Sequence, residues 1–256
     1  MKAVILAAGR GTRMKRLTED RPKPMVEVGK RHVLEWTFGA LRRAGVNRFV
    51  VVTGYRADIV EDHFGSGERF GLDLVYLRQE NPTGTAAAAH LAREAVGDEP
   101  FFLTYGDIVA EPENYARLVE AFLRDRPDGV LGVNYMEDPF KGSAVLFDDS
   151  GKVTRMIEKP PKGSKPSRWN GSGLFCFSPV LFEYTGKVPL SPRGEYELAD
   201  AFQAMLADKR DLRVYRLEGY WGDIGTPEDL ERMDALLRDS ERTGPERAGN
   251  IDDEPR

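Results

Sequence analysis

The chain has one cysteine among its 256 residues, Cys176, set in the apolar run LFCF. An intrachain disulfide is excluded, and so is a zinc site built on thiolates; the residue reads as a buried core thiol. Histidine is almost as scarce. His32, His63 and His90 are the three present, and their spacing is not that of a metal-ligand motif. No apolar run approaches the ~18 residues of a membrane span, and no signal-peptide pattern precedes the first apolar run. A membrane partner is not expected, and the cytoplasm is the default compartment. Basic charge is not in excess either. Thirty-seven Lys and Arg stand against 42 Asp and Glu, a formal net charge of -5. Nucleic acid needs a basic face, so it is not an expected partner; local basic sites for small phosphate ligands stay open.

What the chain does have is a series of short apolar runs: AVILA (3–7), FVVVT (49–53), LVYL (74–77), FFLTY (101–105) and VLGV (130–133). They read as buried strands separated by helical patterns. Leu34, Phe38 and Leu41 share one face of a helix expected to stop at Gly45. Tyr115, Leu118, Val119 and Phe122 share a face of another that follows Pro112. ADIVEDHF and the alanines after Gly84 read as helical too. Such alternation predicts an α/β fold, Rossmann-like and doubly wound, with a mainly parallel mixed sheet covered on both faces. After about residue 134 the pattern changes. Short strands at 144–148 and 153–157 flank the turn Asp149-Ser150-Gly151, and GLFCF forms another strand. Helices are expected at 196–208 and 227–240, the second with Thr226 as N-cap, Pro227 at its first position and Asp229 in its first turn. No linker is visible. Residues 1–240 therefore read as a single domain, and the polar stretch 241–256 as a disordered tail.

The first strand empties into LAAGRGTRM (6–14), a glycine loop with two arginines. It is not a dinucleotide fingerprint, because Met14 stands where the third glycine of G-x-G-x-x-G is needed. It is not a nucleotide P-loop either, because Gly11 is followed by Thr12-Arg13 and not by lysine with Ser or Thr. Gly9 and Gly11 can take positive φ and turn backbone N–H groups toward an anion. Arg13 offers a fork of donors matched to phosphate oxygens, and Lys23 is stiffened between two prolines. That combination suits a polyphosphate ligand.

At these residues a family resemblance becomes specific. LAAGRGTRM followed by Lys23-Pro24 resembles the G-x-G-T-R-[LM]…K-P signature of the sugar-1-phosphate nucleotidyltransferases, or nucleotide-sugar pyrophosphorylases. Further matches come in that family's order: GYRADIVEDHFG (54–65), QENPTGTA (79–86), Tyr105-Gly106-Asp107, Ile157-Glu158-Lys159-Pro160, GEYELAD (194–200) and Trp221 to Thr226. The resemblance spans residues 1 to about 235 and implies a nucleotide-diphospho-sugar transferase type of fold. It implies a reaction in which a sugar-1-phosphate oxygen attacks the α-phosphorus of a nucleoside triphosphate and pyrophosphate leaves.

The same resemblance implies roles. Arg13 and Lys23 are the catalytic pair, Arg13 on the leaving β- and γ-phosphates and Lys23 between the sugar phosphate and the α-phosphate. Leu6, Ala8, Gly9, Gly11, Thr12, Gln79, Gly84 and Thr85 join Arg13 around the nucleotide. Gly142, Glu158, Lys159, Ser172 and Gly173 serve the sugar phosphate. Asp107 and Asp223 are the implied ligands of Mg²⁺, a hard cation that takes carboxylate oxygens. In-line transfer between two anions is catalysed by positioning and charge stabilisation, so no protein nucleophile is needed.

The Gln79 amide suits the N3–H and carbonyl edge of uracil or thymine. UTP or dTTP with glucose-1-phosphate is the favoured pair. GTP with mannose-1-phosphate, or a CTP-dependent transfer, stays open, since sugar choice depends on pocket shape. A non-catalytic nucleotide-sensing subunit would keep the fold and lose the chemistry, but Arg13, Lys23, Asp107 and Asp223 are all present. Small-molecule substrates are the expected partners; relatives are often dimers or tetramers, so a homo-oligomer stays open. The stretch after residue 240 has neither the length nor the repeats of a hexapeptide β-helix, so a second catalytic activity is not expected.

Overall fold

The computed structural model describes residues 1–243, apart from the side chains of Lys15 and of residues 239–243. Thirteen strands and eight α-helices are laid out in it. The strands are β1 (Lys2–Leu6), β2 (Glu27–Val28), β3 (Arg31–His32), β4 (Arg48–Thr53), β5 (Asp73–Arg78), β6 (Phe101–Tyr105), β7 (Ile108–Ala110), β8 (Gly129–Tyr135), β9 (Ser143–Phe147), β10 (Val153–Glu158), β11 (Trp169–Phe177), β12 (Leu212–Arg216) and β13 (Trp221–Asp223). The helices are α1 (Val33–Arg43), α2 (Ala57–Phe64), α3 (Thr85–Leu91), α4 (Arg93–Val96), α5 (Pro112–Asp125), α6 (Leu181–Thr185), α7 (Leu198–Ala207) and α8 (Pro227–Thr243). The helix expected at 227–240 thus runs three residues further; residues 244–256 of the expected tail lie outside the described residues.

Nine strands form one mixed sheet along the path β10-β9-β11-β6-β1-β4-β5, with β8 paired to β11 and β12 to β8. Strand β1 lies between β4 and β6, parallel to both, and β5 extends the parallel run. From β1 the chain builds outward through β4 and β5, then returns to place β6 on the other side. The gap above the ends of β1 and β6 is therefore a topological switch point, where open α/β sheets bind ligands. Beyond β6 the sheet turns antiparallel through β11, β8, β9 and β10, and β12 rejoins it parallel to β8. Four of the five apolar runs form the parallel strands β1, β4, β5 and β6; the fifth, VLGV, falls in β8, antiparallel to β11, and the rest of the antiparallel half is the portion where the pattern changed.

Both faces are covered, as continuous apolar strands require. Alternate residues of one strand serve opposite cores. Val4 and Leu6 of β1 pack with α3, α6 and α7, whereas Ala3 and Ile5 pack with α1, α2 and α5. The stripe on α5 is buried as expected at Tyr115, Leu118, Val119 and Phe122. Cys176 is fully buried, and its burial pushes the thiol well above its ordinary range. A third, smaller cluster, with Met14, Val33, Ile224 and Met233, sits where α8 closes over the β2–β3 hairpin. The cap of α8 is the one anticipated. The Thr226 hydroxyl accepts from the Asp229 amide at 3.2 Å and donates to its carboxylate at 2.8 Å. Among the described residues no helix is long and apolar enough to cross a membrane.

Candidate active site

The loop after β1 is held from both sides. Ala7 N–H donates to Val52 O at 2.8 Å, and Tyr55 N–H to Ala8 O at 3.2 Å. Gly11 has φ +67°, as expected; Gly9 is not among the residues with positive φ, so only one of the two glycines uses that freedom. At Gly11 the reason is space as well as φ. A Cβ there would lie 3.1 Å from the Cβ of Lys23. The turn thus packs the loop against the buried lysine, and Thr12 begins a short 3-10 helix, Thr12–Thr18. The two loop arginines part company. Arg10 lies over the Tyr55 ring at 5.2 Å, while Arg13 turns to the cavity described next.

A cavity of about 690 Å³ opens at the switch point. Its wall brings together Leu6, Ala8, Gly9, Arg13, Lys23, Gln79, Gly84, Thr85, Asp107, Gly142, Glu158, Lys159, Ser172, Gly173 and Asp223. Of the residues singled out in the sequence, Gly11 and Thr12 do not line it.

Asp107 and Asp223 are 116 positions apart in the chain and meet through a two-stranded ribbon. β7 and β13 pair antiparallel with Asp223 opposite Ile108, and Ile224 N–H donates to Asp107 O at 2.9 Å. Lys23 forms an ion pair with the Asp107 carboxylate. The Asp223 carboxyl is held above its ordinary range, first by burial and then by the Asp107 charge, against the pull of Lys23 and Arg13. Gly225 keeps this corner open. A Cβ there would lie 3.2 Å from the Asp223 carboxylate, 3.3 Å from that of Asp229 and 3.6 Å from the Arg13 guanidinium. Two neighbouring carboxylates beside only partial cationic compensation fit a hard divalent cation.

Gln79 follows β5, and its Nε2 donates to Gly84 O at 3.2 Å. Gly84 has φ +122°, and a Cβ would lie 2.4 Å from Tyr196 O. The Tyr196 backbone behind it is the tightest demand for glycine here. The Thr85 hydroxyl accepts from Leu198 N–H at 2.9 Å, joining α3 to the start of α7.

At the other end stands Glu158, at the end of β10. It accepts from the Ser143 hydroxyl and lies 3.5 Å from Arg193, which also pairs with buried Glu197 at 2.6 Å. Burial pushes the Glu158 carboxyl up, opposed by the Ser143 hydrogen bond and the Arg193 charge. Lys159 has φ +42°, uncommon for a side-chain-bearing residue, and its N–H donates to Gly142 O at 2.7 Å. Gly142 packs so closely on Asn170 that a Cβ would lie 2.1 Å from its Oδ1. Ser172 and Gly173 fall in a register shift of β11 between Gly171 and Phe175, where Gly173 has φ +83° against the Tyr105 ring. Arg193, Glu197, Asn134, Asn170, Asp229 and Arg232 line the cavity and went unassigned in the sequence. Glu197 alone carried a signal, as part of GEYELAD.

The histidines depart from expectation. The fold carries His32 to His63, and with Glu35 they form a group that could hold a divalent metal, with ligand atoms within 4.8 Å of one another. None of the three lines the cavity. Linear spacing missed the group because His63 comes from α2, whereas His32 and Glu35 stand at the start of α1.

Known proteins resemble this chain along most of its length. A family model described as nucleotidyl transferase matches residues 2–240. The chain is 34% identical over 241 residues to the UTP–glucose-1-phosphate uridylyltransferase AglF of Haloferax volcanii, covering 93% of this chain and 97% of that protein. It is 33% identical over 238 residues to the low-salt glycan biosynthesis nucleotidyltransferase Agl11 of the same organism, covering 93% of this chain and 66% of that one. It is 31% identical over 261 residues to the mannose-1-phosphate guanylyltransferase catalytic subunit beta of Drosophila pseudoobscura pseudoobscura, covering 98% of this chain and 68% of that one. The solved structure of a UDP-glucose pyrophosphorylase complexed with UDP-glucose matches with a TM-score of 0.84 at 20% identity, covering 93% of this chain and 98% of that one, a likeness of fold.

Proposed function

The chain belongs to the nucleotidyl transferase family and is an enzyme that passes a nucleotidyl group to a sugar-1-phosphate, and from that premise we propose that it takes UTP or dTTP with glucose-1-phosphate. The observation that carries the site assignment is a juxtaposition. Two cationic side chains of the N-terminal segment, two carboxylates of the β7–β13 ribbon and a carboxylate–lysine pair after β10 share one cavity.

In this reading the triphosphate lies over the loop after β1, with Arg13 on the β- and γ-phosphates. The sugar-1-phosphate enters between Glu158 and Lys159, the carboxylate taking sugar hydroxyls and the ammonium the phosphate. A phosphate oxygen of the sugar forms a new bond to the α-phosphorus, the bond to the bridging α–β oxygen breaks, and pyrophosphate departs. Lys23 lies between the two phosphates and reduces their repulsion; Arg13 takes up the charge developing on the leaving group. Asp107 and Asp223 would hold Mg²⁺, which supplies charge neutralisation at the phosphates when bound.

Gln79 supports the base assignment. Its NH₂ is engaged with Gly84 O, which leaves the carbonyl oxygen to accept from the N3–H of uracil or thymine. The guanylyltransferase relative is nearly as similar as the uridylyltransferase, so GTP with mannose-1-phosphate is the second reading. The test is pyrophosphate release across a panel of nucleoside triphosphates and sugar-1-phosphates. The expected result is highest kcat/KM for UTP or dTTP with glucose-1-phosphate. Preference for GTP with mannose-1-phosphate would overturn the substrate assignment and leave the reaction class standing.

A further inference from the structure

We propose that His32, Glu35 and His63 form a transition-metal site of the zinc class, separate from the carboxylate pair of the cavity. The donor set points to the metal. Two imidazole nitrogens and one carboxylate oxygen suit Zn²⁺ or a neighbouring first-row ion, whereas Mg²⁺ seeks an all-oxygen shell.

The residues are already oriented. Glu35 lies in the first turn of α1 and accepts from the main-chain N–H of His32 through Oε2 at 3.2 Å. Its Oε1 meets His63 Nε2 at 2.9 Å. The two imidazole rings stand edge to face, centroids 4.7 Å apart. His63 is carried by the last turn of α2. The next residue, Phe64, is buried against Phe38, and the His63 carbonyl accepts from Arg69. Anchored backbones and a shared carboxylate leave little freedom to order on binding.

A plain Glu35–His63 pair would account for two of the three side chains. It does not by itself place His32, whose side chain faces the Glu35 main-chain N–H as the cap of α1 while its buried Nδ1 makes no well-aligned hydrogen bond. The ligand atoms lie within 4.8 Å of one another. Ligands about 2.1 Å from a tetrahedral zinc are about 3.4 Å apart, so side-chain rotation that brings the atoms closer by at most about 1.4 Å closes the site. All three residues are partly exposed, so the ion has a path in and water completes its shell.

The ion would join two helices that the sequence keeps apart. One is α1, whose first residue Val33 donates to Val26 O at 3.0 Å, just after the Lys23-Pro24-Met25 turn. The other is α2. Its role is a staple on the segment that carries Lys23 to the cavity.

The test uses the untagged full chain, stripped with chelator and titrated with Co²⁺ in excess Mg²⁺. Expected is a single saturable Co²⁺ per chain with the strong visible bands of a low-coordinate nitrogen–oxygen site. Zn²⁺ should displace it and raise the melting temperature. Glu35→Gln and His63→Gln, each first shown to melt like wild type in chelator, should lose affinity by about tenfold or more. Asp107→Asn should bind Co²⁺ as wild type does. Retained binding in His63→Gln, or binding abolished by Asp107→Asn, would overturn the assignment. So would the absence of any saturable binding.

Discussion

Single side chains decide the chemistry, and two of them separate stability from turnover. Lys23 is buried with its ammonium on Asp107. Lys23→Ala should lower kcat by about 10²–10³, the scale of one lost charge-stabilising donor. Pyrophosphate release read beside a thermal melt checks this, and near-wild-type turnover would remove Lys23 from the mechanism. Glu158 makes the second case. Burial raises its carboxyl, so ionisation costs the folded state more than the unfolded one. Its contribution is favourable below the ordinary carboxylate range and is lost as pH rises through the raised folded value. Glu158→Gln should therefore melt higher than wild type at neutral pH. That gain should fade in acid, while KM for the sugar phosphate rises. Calorimetry across a pH series reads the sign; a lower melting temperature at neutral pH contradicts it.

At the scale of elements, glycines mark where backbone must pass close to backbone, and they do not all behave alike. Gly84→Ala places a methyl 2.4 Å from Tyr196 O at a φ of +122°. It should cost about 3 kcal/mol, separating α3 from the start of α7. Gly9→Ala meets nothing within 4 Å, so stability should stay within about 0.5 kcal/mol of wild type while KM for the nucleotide rises. Urea unfolding of both variants checks the contrast, and equal losses would sink it. Much of this was legible in the chain. Long periodic helices and apolar strands declare themselves, as α2 did over residues 57–64 and α5 after Pro112. What did not declare itself is short or set by a partner. β7 and β13 are three residues each, and exist as strands because they pair with each other. β12, LRVYR, alternates with arginines, which hides a strand whose value lies in pairing with β8. Arg193 carries no motif of its own; it matters because folding sets it between Glu158 and Glu197.

Across the whole molecule, topology does what no local pattern can. The order β6-β1-β4-β5 opens a crevice beside β1, and the antiparallel half carries Glu158 and Ser172 to its far side. The loop after β1, the Asp107–Asp223 pair and the Glu158–Lys159 pair thereby face one cavity, although they come from residues 6 to 223. The histidine–glutamate group was invisible in the sequence for the same reason, since two helices had to be packed before it existed. In the proposed reaction this cavity joins two phosphorylated substrates at the α-phosphorus. Phosphorus NMR of the untagged chain with Mg²⁺, UTP and glucose-1-phosphate follows that bond directly. We expect UDP-glucose and pyrophosphate to appear in equal amounts, stopped by chelator, restored by Mg²⁺, and lost in both Asp107→Asn and Asp223→Asn. Inorganic phosphate in place of pyrophosphate, or undiminished turnover in those two variants, would contradict it.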